Sequence, residues 1–416
     1  MSASSGILRL PRDVRYGYGV SAAVAELAAG YGSRVVFVAD PFLATTPEFD
    51  RILQSTRATG AEVLVLTDVP PELPVSAVLR AGEAARTFAP DVVVGYGGGS
   101  ALDQAKLVAL LISYPPPLET YYGENAVPGP VTPLIAVPTT AGTGSEVTPV
   151  AVVSDPARAM KVGISSPHLI PSVAIVDPAL TLGAPVGVTT YAGIDALVHA
   201  VESYTAAELE LTHTAVMPVF IGRNELTESL SLEAAALIFH ALPTAVHSPD
   251  DRDARAAMSR GSLLAGMAFG AAGTHLSHAI QYPVGAITHT PHGLGTGMLL
   301  PFVLQACLIA VPERLARLGA ALGLPADGSV LQRAQATVDA IDDLTARIGL
   351  PRSLAELGIG QADRDSIVDL ALQSSRLIGI APIHADRVMI ASIVDAAIAG
   401  NRSLLRASAT DRQEHP

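Results

Sequence analysis

Two side chains that commonly bind metals, Asp195 and His199, lie four positions apart in the apolar stretch 193–202. On a helix they project from the same face, because residues i and i+4 lie one above the other. Helical neighbours of this kind can simply hydrogen-bond to each other. On an otherwise apolar face, however, a carboxylate paired with an imidazole favours a shared divalent metal.

The histidines concentrate in one later window. His275, His278, His289 and His292 are four of the chain's 11 histidines. A single histidine on an apolar helix is more often a core residue than a ligand, but four of them beside an Asp/His pair favour ligation. Three imidazoles and one carboxylate would leave a divalent metal with open positions for a substrate, as in catalytic sites. Because Cys307 is the one cysteine, a thiolate set is excluded, and Fe²⁺, Zn²⁺ and Mn²⁺ all fit.

A glycine-rich segment, 97–103, follows a predicted strand and opens a predicted helix. Gly97, Gly98 and Gly99 let main-chain N–H groups approach a phosphate, and the helix N-terminus adds partial positive charge. Ser100 can cap the helix and offer its hydroxyl to the ligand. We therefore predict a diphosphate site. An ordinary strand-to-helix turn is the alternative, since the segment lacks the G-x-G-x-x-G spacing.

Two further segments extend the same predicted edge of the sheet. Residues 138–148 form a second loop, rich in glycine and threonine, after another strand, where ligands of open α/β sheets bind. Asp40 follows a strand that ends at Ala39, so its carboxylate could accept hydrogen bonds from a ribose and would repel a 2′-phosphate. This favours NAD over NADP. The alternatives are a polar loop and an aspartate that caps a turn or helix.

The elements that must position these residues follow from hydrophobic periodicity. Apolar runs predict strands over 34–39, 62–66, 91–95 and 134–137, and helical patterns between them cover 75–87 and 101–112. Apolar strands alternating with helices predict a doubly wound α/β domain, whose parallel sheet is covered on both faces.

The pattern changes near 177–182, and helical periodicity then dominates. Helices are predicted over 189–204, 229–241, 252–269 and much of 300–405. We therefore predict an α/β dinucleotide-binding domain over 1–184 and an all-α domain over 185–416. The polar tail from Ala407 is expected to fray.

The composition limits the possible partners and compartments. Of 416 residues, 26 are Lys or Arg and 39 are Asp or Glu, a net charge of −13 that argues against a nucleic-acid partner. We expect no membrane association, since we find neither a signal-peptide pattern nor an apolar run of the ~18 residues that span a bilayer. A cytoplasmic location is predicted. The mean hydropathy of +0.40 indicates a large core or a buried subunit interface.

Taken together, the motifs resemble the iron-containing (group III, metal-dependent) alcohol dehydrogenases over nearly the whole chain. The similarity rests on the segments 97–106, 138–148, 193–204, 290–295 and 299–301. It implies the dehydroquinate synthase-like fold, with an N-terminal dinucleotide-binding α/β domain and a helical metal-binding domain. It also implies NAD, a divalent metal that is most often Fe²⁺, and a homodimer.

The resemblance implies a role for individual residues. The metal ligands would be Asp195, His199, His278 and His292, whereas His275 and His289 fall on no ligand position. The cofactor positions would be Asp40 for NAD preference, Gly97, Gly98, Gly99, Ser100 and Asp103 in the diphosphate turn, Thr139, Thr140 and Thr143 in the second loop, and Lys161 at a ribose.

Three features depart from the family pattern. Tyr282 stands where many members have a second histidine near the nicotinamide, and a phenol is a weaker proton shuttle than an imidazole at neutral pH. Glu72 replaces a usual asparagine, and a carboxylate facing a diphosphate would be unfavourable. Residues 206–225 form a longer connection than usual. Tyr282 and this insertion resemble the hydroxyacid–oxoacid transhydrogenase branch.

The resemblance thus predicts a metal-dependent NAD(H) alcohol dehydrogenase or aldehyde reductase that acts on a small alcohol or aldehyde, with Tyr282 and the four metal ligands as the catalytic set. A transhydrogenase with retained NAD is the first alternative. A dehydroquinate synthase-like cyclase is more remote, because the motifs are poor in the Lys and Arg that its substrate would need. A metal- or nucleotide-sensing scaffold is disfavoured by the complete ligand set.

Overall fold

The computed structural model describes residues 5–158, 161–212 and 214–405, so the tail predicted from Ala407 lies outside the described residues. Most of the α/β elements precede residue 185, and the rest of the described chain is helical. The predicted fold class is therefore confirmed.

Two compact units can be separated within the described chain. One contains Arg9–Pro185 and a short segment that ends at Val219. The other contains Val186–Thr212, the residues that follow Val219 and those that precede Arg9. The insertion after residue 205 is thus divided between the two units.

The described strands form two sheets. In chain order they are β1 (Asp13–Tyr16), β2 (Arg34–Ala39), β3 (Glu62–Leu66), β4 (Val92–Gly97), β5 (Gly123–Glu124), β6 (Leu134–Pro138), β7 (Val150–Val153), β8 (Val162–Ser165) and β9 (Val173–Val176). The main sheet has the order β1-β9-β6-β4-β2-β3, and all its neighbouring strands are parallel. The strands β5, β8 and β7 form a small second sheet that the sequence reading did not predict.

Helices cover both faces of the main sheet. They are α1 (Val24–Ala29), α2 (Pro47–Ala58), α3 (Val75–Phe88) and α4 (Gly99–Ser113). Val35 and Phe37 of β2 pack in a cluster with α1 and α2, whereas Val36 and Val38 pack in a cluster with α3 and α4. Successive side chains of a strand point to opposite faces, so a strand apolar at every position must be buried on both sides.

The second unit is a helical bundle. Its helices are α5 (Val186–Thr205), α6 (Glu225–His247), α7 (Arg252–Ala272), α8 (Leu276–Thr288), α9 (His292–Cys307), α10 (Pro312–Ala321), α11 (Val330–Arg347), α12 (Arg364–Gln373), α13 (Ser375–Gly379) and α14 (Arg387–Ala399). Helix α5 packs on α6, α7 and α9, and α8 packs on α9 and α12. Helix α5, which is buried throughout from Gly193 to Thr205, is therefore the central element around which the site is built.

One helix differs from the expectation that no apolar segment is long enough to span a bilayer. Helix α6 is long and apolar enough to cross a bilayer, judged by length and composition. Half of its apolar window is buried, and it packs along α5 and α7. A core helix of a bundle meets the same criterion, because its apolar face is covered by neighbouring helices.

Candidate metal and nucleotide sites

Helix α5 brings a carboxylate and an imidazole into the core of the bundle. Asp195 and His199 are 4% and 6% exposed, and His199 Nε2 lies 3.7 Å from Asp195 Oδ2. The predicted projection from one helical face is thus observed. Two ionisable groups buried so deeply need compensating partners, since their desolvation is costly.

Two further imidazoles complete a cluster around Asp195. The nitrogens Nε2 of His278 and of His292 each lie 3.9 Å from Asp195 Oδ1. One potential ligand atom of each of these three residues lies within 4.8 Å of the others. His278 comes from α8, and His292 is the first residue of α9. Three elements therefore converge on one point.

The cluster fits a divalent cation. His278 Nε2 is buried and has no hydrogen-bond partner among the described residues. A buried imidazole nitrogen without a partner is costly unless another group takes its lone pair. One carboxylate with two imidazoles is a donor set suited to Fe²⁺, Zn²⁺ or Mn²⁺.

His199, the fourth predicted ligand, lies beside this three-residue cluster. Its ring stacks on Phe269 at 4.2 Å and on His278 at 5.0 Å between ring centroids. The ring of His292 lies 5.3 Å from that of His278. The imidazoles are therefore held in fixed orientations by their neighbours.

The electrostatics suit metal binding. Burial acts to raise the pKa of Asp195, but three nearby imidazoles and the hydroxyl of Thr296 outweigh it and hold that pKa below its usual value. Burial, followed by the neighbouring His199, keeps the pKa of His278 well below its usual value. The site thus presents an ionised carboxylate and a neutral imidazole, the states in which these groups bind metals.

Sequence reasoning missed two residues that touch the cluster. Glu202 Oε2 lies 2.7 Å from His278 Nδ1, and the Thr296 hydroxyl donates to Asp195 Oδ1 at 2.7 Å. Glu202 is seven residues beyond Asp195, so helical spacing could have placed it on the same face. Thr296 had no such signal, because its contact depends on how α9 packs against α5.

The remaining histidines of the window lie elsewhere. His275 is fully buried, and its Nε2 lies 2.9 Å from the hydroxyl of Thr205. His289 is exposed and ends α8 in a left-handed conformation with φ of 54°. Tyr282 is half-buried, and its ring stacks on His292 at 5.9 Å. Tyr282 is thus next to the cluster.

The glycine turn is closely packed against the second loop. The main-chain N–H of Thr139 donates to the carbonyl of Gly97 at 3.0 Å. A Cβ at Gly99 would lie 2.7 Å from Thr143 Cγ2, whereas a Cβ at Gly98 would lie 3.4 Å from Thr140 Cγ2. The two loops that the sequence placed at one sheet edge are therefore in direct contact.

The start of α4 differs in detail from the prediction. The helix begins at Gly99 with Gly98 as its N-cap residue, so the expectation that Ser100 caps it is wrong. Ser100 lies inside the first turn with an exposed side chain. Gly97 has φ of 152°, a conformation that glycine tolerates best.

Asp40 and Asp103 both make local contacts at this turn. Asp40 Oδ1 accepts from the main-chain N–H groups of Phe42 and Leu43 at 2.9 and 3.2 Å, as in the turn-capping alternative. Asp103 accepts from the Ser145 hydroxyl at 2.7 Å and from a main-chain N–H of β7 at 2.9 Å. Asp103 thus fixes the second loop.

Lys106 is a second residue that anchors this loop, and no role was predicted for it. It is fully buried, and its ammonium donates to the carbonyls of Thr148 and Val150 at 2.9 and 2.8 Å. Burial lowers its pKa to about 8, although the nearby Asp103 acts in the opposite direction. Lys106 and Asp103 together bind α4 to the segment after the second loop.

Glu72 and Lys161, the two remaining residues predicted to lie near the nucleotide, form an ion pair. Glu72 Oε2 lies 2.6 Å from Lys161 Nζ, with the side chains 60% and 29% exposed. Glu72 has φ of 67°, and its carbonyl accepts from the Ser154 hydroxyl at 2.7 Å. Glu72 is therefore held in a left-handed conformation beside Lys161.

Comparisons with known proteins agree with this geometry. The family model "Iron-containing alcohol dehydrogenase" matches residues 11–178, and "Fe-containing alcohol dehydrogenase family, C-terminal" matches residues 189–398. The probable alcohol dehydrogenase EutG of Salmonella typhimurium is 39% identical over 307 residues, 74% of each chain. The NAD-dependent methanol dehydrogenase of Bacillus methanolicus is 33% identical over 310 residues, 74% of this chain and 78% of that protein.

A solved structure shares the whole architecture. The crystal structure of a 1,3-propanediol oxidoreductase superposes with a TM-score of 0.88 at 31% sequence identity. The match covers 94% of this chain and 100% of that one. The similarity thus extends over both the α/β and the helical unit.

Proposed function

The chain belongs to the iron-containing alcohol dehydrogenase family, and from this premise we propose that Asp195, His199, His278 and His292 hold Fe²⁺ in an NAD-dependent enzyme that interconverts a small alcohol and its aldehyde. The observation that carries the site assignment is the buried carboxylate–imidazole cluster. The buried Nε2 of His278, which has no hydrogen-bond partner within the described chain, supports it further.

At the metal site, the protein binds the ion and fixes the orientation of the ligand side chains. A divalent ion bound there supplies Lewis-acid stabilisation of negative charge on the substrate oxygen. Asp195, His199, His278 and His292 would bind it, and the stacking of His199 on Phe269 and on His278 keeps the rings aligned. Pre-set ligands reduce the reorganisation that binding requires.

At the other site, main-chain groups would bind the cofactor. NAD itself supplies the hydride chemistry. We assign its diphosphate to the N-terminus of α4, since Gly98 carries no side chain that would keep a phosphate away and a 15-residue helix adds its dipole. The residues offered to it are Gly97, Gly98, Gly99, Ser100, Thr139, Thr140 and Thr143. Asp40 and Lys161 are assigned to ribose hydroxyls, and Asp103 to positioning of the second loop.

Tyr282 is the proposed proton donor. Its ring stacks on His292, so its Oη is carried on a residue fixed against the metal cluster. A phenol holds its proton at neutral pH. It would therefore donate that proton to the substrate oxygen during aldehyde reduction, and the resulting phenolate would take the proton back during alcohol oxidation.

The test is NADH consumption at 340 nm by the Fe²⁺-reconstituted protein with a panel of aldehydes, ketones and oxo acids. We expect chelator-sensitive turnover with small aldehydes and a preference for NADH over NADPH. His278→Ala should lose metal and turnover and keep its fold. The matched control is His289→Asn, which alters an exposed histidine of the same window in a conformation that asparagine tolerates. Full metal content and turnover in His278→Ala would contradict the assignment.

A second candidate is favoured by the insertion after α5. Within the insertion, Glu208 and Gly222 form an antiparallel bridge, and Tyr282 replaces the usual histidine. Both features resemble the transhydrogenase branch. In the same assay, that activity would give no net NADH loss, and a hydroxy acid would be oxidised once an oxo acid is added.

We also propose a cytoplasmic homodimer. The edge strand β1 and the residues next to it carry large apolar side chains that are partly exposed, Leu10, Tyr16 and Tyr18, each at 37–38%. Exposed apolar residues beside a sheet edge favour a subunit contact. Light scattering coupled to size-exclusion chromatography tests this, and a mass of 42.7 kDa would show a monomer instead.

A further inference from the structure

Glu202 is a carboxylate buried completely in the core of the helical unit. It is 0% exposed, and it lies on α5, seven residues beyond Asp195 and three beyond His199. With helical spacing these three residues share one face. An ionised side chain in such a place needs several hydrogen bonds to offset its desolvation.

The hydrogen bonds to Glu202 all come from the start of α8. Its Oε2 accepts from the main-chain N–H of His275 at 2.8 Å, and its Oε1 accepts from the main-chain N–H of Ser277 at 2.6 Å. The first N–H groups of a helix are unpaired within the helix and carry partial positive charge. Glu202 therefore caps α8 from a different helix.

The third contact is to a side chain of the same turn. His278 Nδ1 lies 2.7 Å from Glu202 Oε2. Both oxygens of Glu202 already accept main-chain N–H bonds, so in this arrangement Nδ1 donates to Oε2 and Nε2 is the nitrogen left to present its lone pair. That Nε2 lies 3.9 Å from Asp195 Oδ1, too far for a hydrogen bond. The lone pair thus points into the metal cluster.

We propose that Glu202 is a positioning residue for the metal centre, which fixes the tautomer and orientation of His278 and docks the start of α8 against α5. One face of α5 would then supply two ligands, Asp195 and His199, and the anchor of a third. The inference rests on the metal site proposed above. It follows the general pattern in which a ligating histidine donates its other N–H to a carboxylate.

The alternative is that Glu202 only caps a helix. In that case its loss lowers stability, but the metal that folded protein binds is unaffected. The two roles are separated by measuring the dissociation constant of Co²⁺ and the visible spectrum of the Co²⁺ protein, with the Tm of the metal-free protein measured alongside. NADH affinity serves as an internal check that the α/β unit is intact.

Glu202→Gln keeps the shape of the side chain but removes its charge and places an NH₂ against one of the donors. We expect Co²⁺ affinity to fall about 10–100-fold, with a changed visible spectrum and unchanged NADH affinity. The matched control is Thr205→Val, which removes the hydroxyl that contacts His275 on the same turn without touching His278. It should keep the wild-type Co²⁺ affinity and spectrum.

The double variant with His278→Ala shows whether the effect passes through His278. Once that ligand is gone, Glu202→Gln should cause no further loss of Co²⁺ affinity, because coupled residues are not additive. If Glu202→Gln does not fold, Glu202→Asp keeps the charge but is too short to reach the imidazole and both amides, and the same loss is expected.

The inference is overturned if either Glu202 variant folds with a lower Tm yet binds Co²⁺ with wild-type affinity and spectrum. It is also overturned if Thr205→Val loses as much affinity as Glu202→Gln, since turn packing would then explain both. Wild-type Co²⁺ binding by the single His278→Ala variant would instead refute the proposed metal site itself.

Discussion

At the metal cluster, buried side chains would bind the ion. At the nucleotide turns, by contrast, main-chain groups would bind the diphosphate, and glycines leave out the side chains that would keep it away. Asp195, His199 and His278 are nearly inaccessible to solvent. Gly98 and Gly99, by contrast, are half-buried, and Ser100 is exposed. Metal binding should therefore weaken when a donor atom is removed or displaced. NADH binding should weaken when an atom is added at the glycine turn.

The largest effect is expected at Gly293, where α9 meets α5. A Cβ there would overlap the carbonyl oxygen of Tyr191 and lie 2.9 Å from Asp195 Cβ. Gly293→Ala should push the start of α9, and with it His292, away from Asp195. Because disturbing the groups that orient metal ligands costs ~10–100-fold in affinity, we expect the displaced His292 to lower Co²⁺ affinity by about 100-fold.

The comparison variant for that prediction is Gly187→Ala, in the first turn of α5. A Cβ there meets its nearest neighbour, Tyr191 Cε2, at 3.5 Å, an ordinary contact. Alanine also favours the helix, so Tm and Co²⁺ affinity should be unchanged or slightly higher. Equal metal binding in Gly293→Ala and Gly187→Ala would show that the approach of α9 to α5 does not set the cluster.

The nucleotide turn should respond to added atoms in a different way. Gly98→Ala has room within the protein, with Thr140 Cγ2 at 3.4 Å, so Tm should hardly change. If the diphosphate lies against Gly98, NADH affinity should fall roughly thirtyfold, about 2 kcal/mol, which is typical of overpacking. Fluorescence titration with NADH measures this.

Gly99→Ala supplies the contrast within the same turn. Its Cβ would lie 2.7 Å from Thr143 Cγ2, so both Tm and NADH affinity should drop. A Gly98→Ala protein with wild-type NADH affinity would place the diphosphate away from this turn.

The sequence was most informative where local pattern decides structure. The predicted strands 34–39 and 62–66 coincide with β2 and β3, and the predicted helix 252–269 lies within α7. Strands β1 and β9 are each four residues long, too short for periodicity to distinguish them from loops. The pairing of β5 with β8 joins segments far apart in the sequence, and such a non-local contact leaves little local pattern.

The site shows the same division. Helical spacing placed Asp195 and His199 on one face, and the two glycine-rich loops were placed at one sheet edge. The resemblance, not the spacing, separated His278 and His292 from His275 and His289. The role of Glu202 could not be predicted, because its partners belong to α8 and the packing of α8 is a tertiary feature.

A smaller effect is expected where the metal cluster is supported indirectly. Thr296→Val removes the hydroxyl that donates to Asp195 Oδ1 at 2.7 Å. Asp195 would lose one of the groups that favour its ionised form, and Co²⁺ affinity should fall roughly tenfold. Thr190→Val is the control, since that hydroxyl donates to a carbonyl one turn back in α5. Equal Co²⁺ affinity in the two variants would show that the hydroxyl of Thr296 does not support metal binding and that the residue contributes only packing.

The smallest effect is expected at the ion pair between Glu72 and Lys161. A bound ribose would compete with Glu72 for the ammonium of Lys161, and the diphosphate beside it would be repelled by the carboxylate. Exposed pairs contribute about 0.2–1 kcal/mol, so Glu72→Gln should tighten NADH binding by a factor of about 1.4 to 5 at low salt, and less at high salt. The control is Asp68→Asn, which removes an equal charge from an exposed pair with Arg80. If Glu72→Gln instead weakens NADH binding, the carboxylate holds Lys161 ready for the ribose. In that case the nucleotide turns also depend on a pre-positioned side chain, as the metal cluster does.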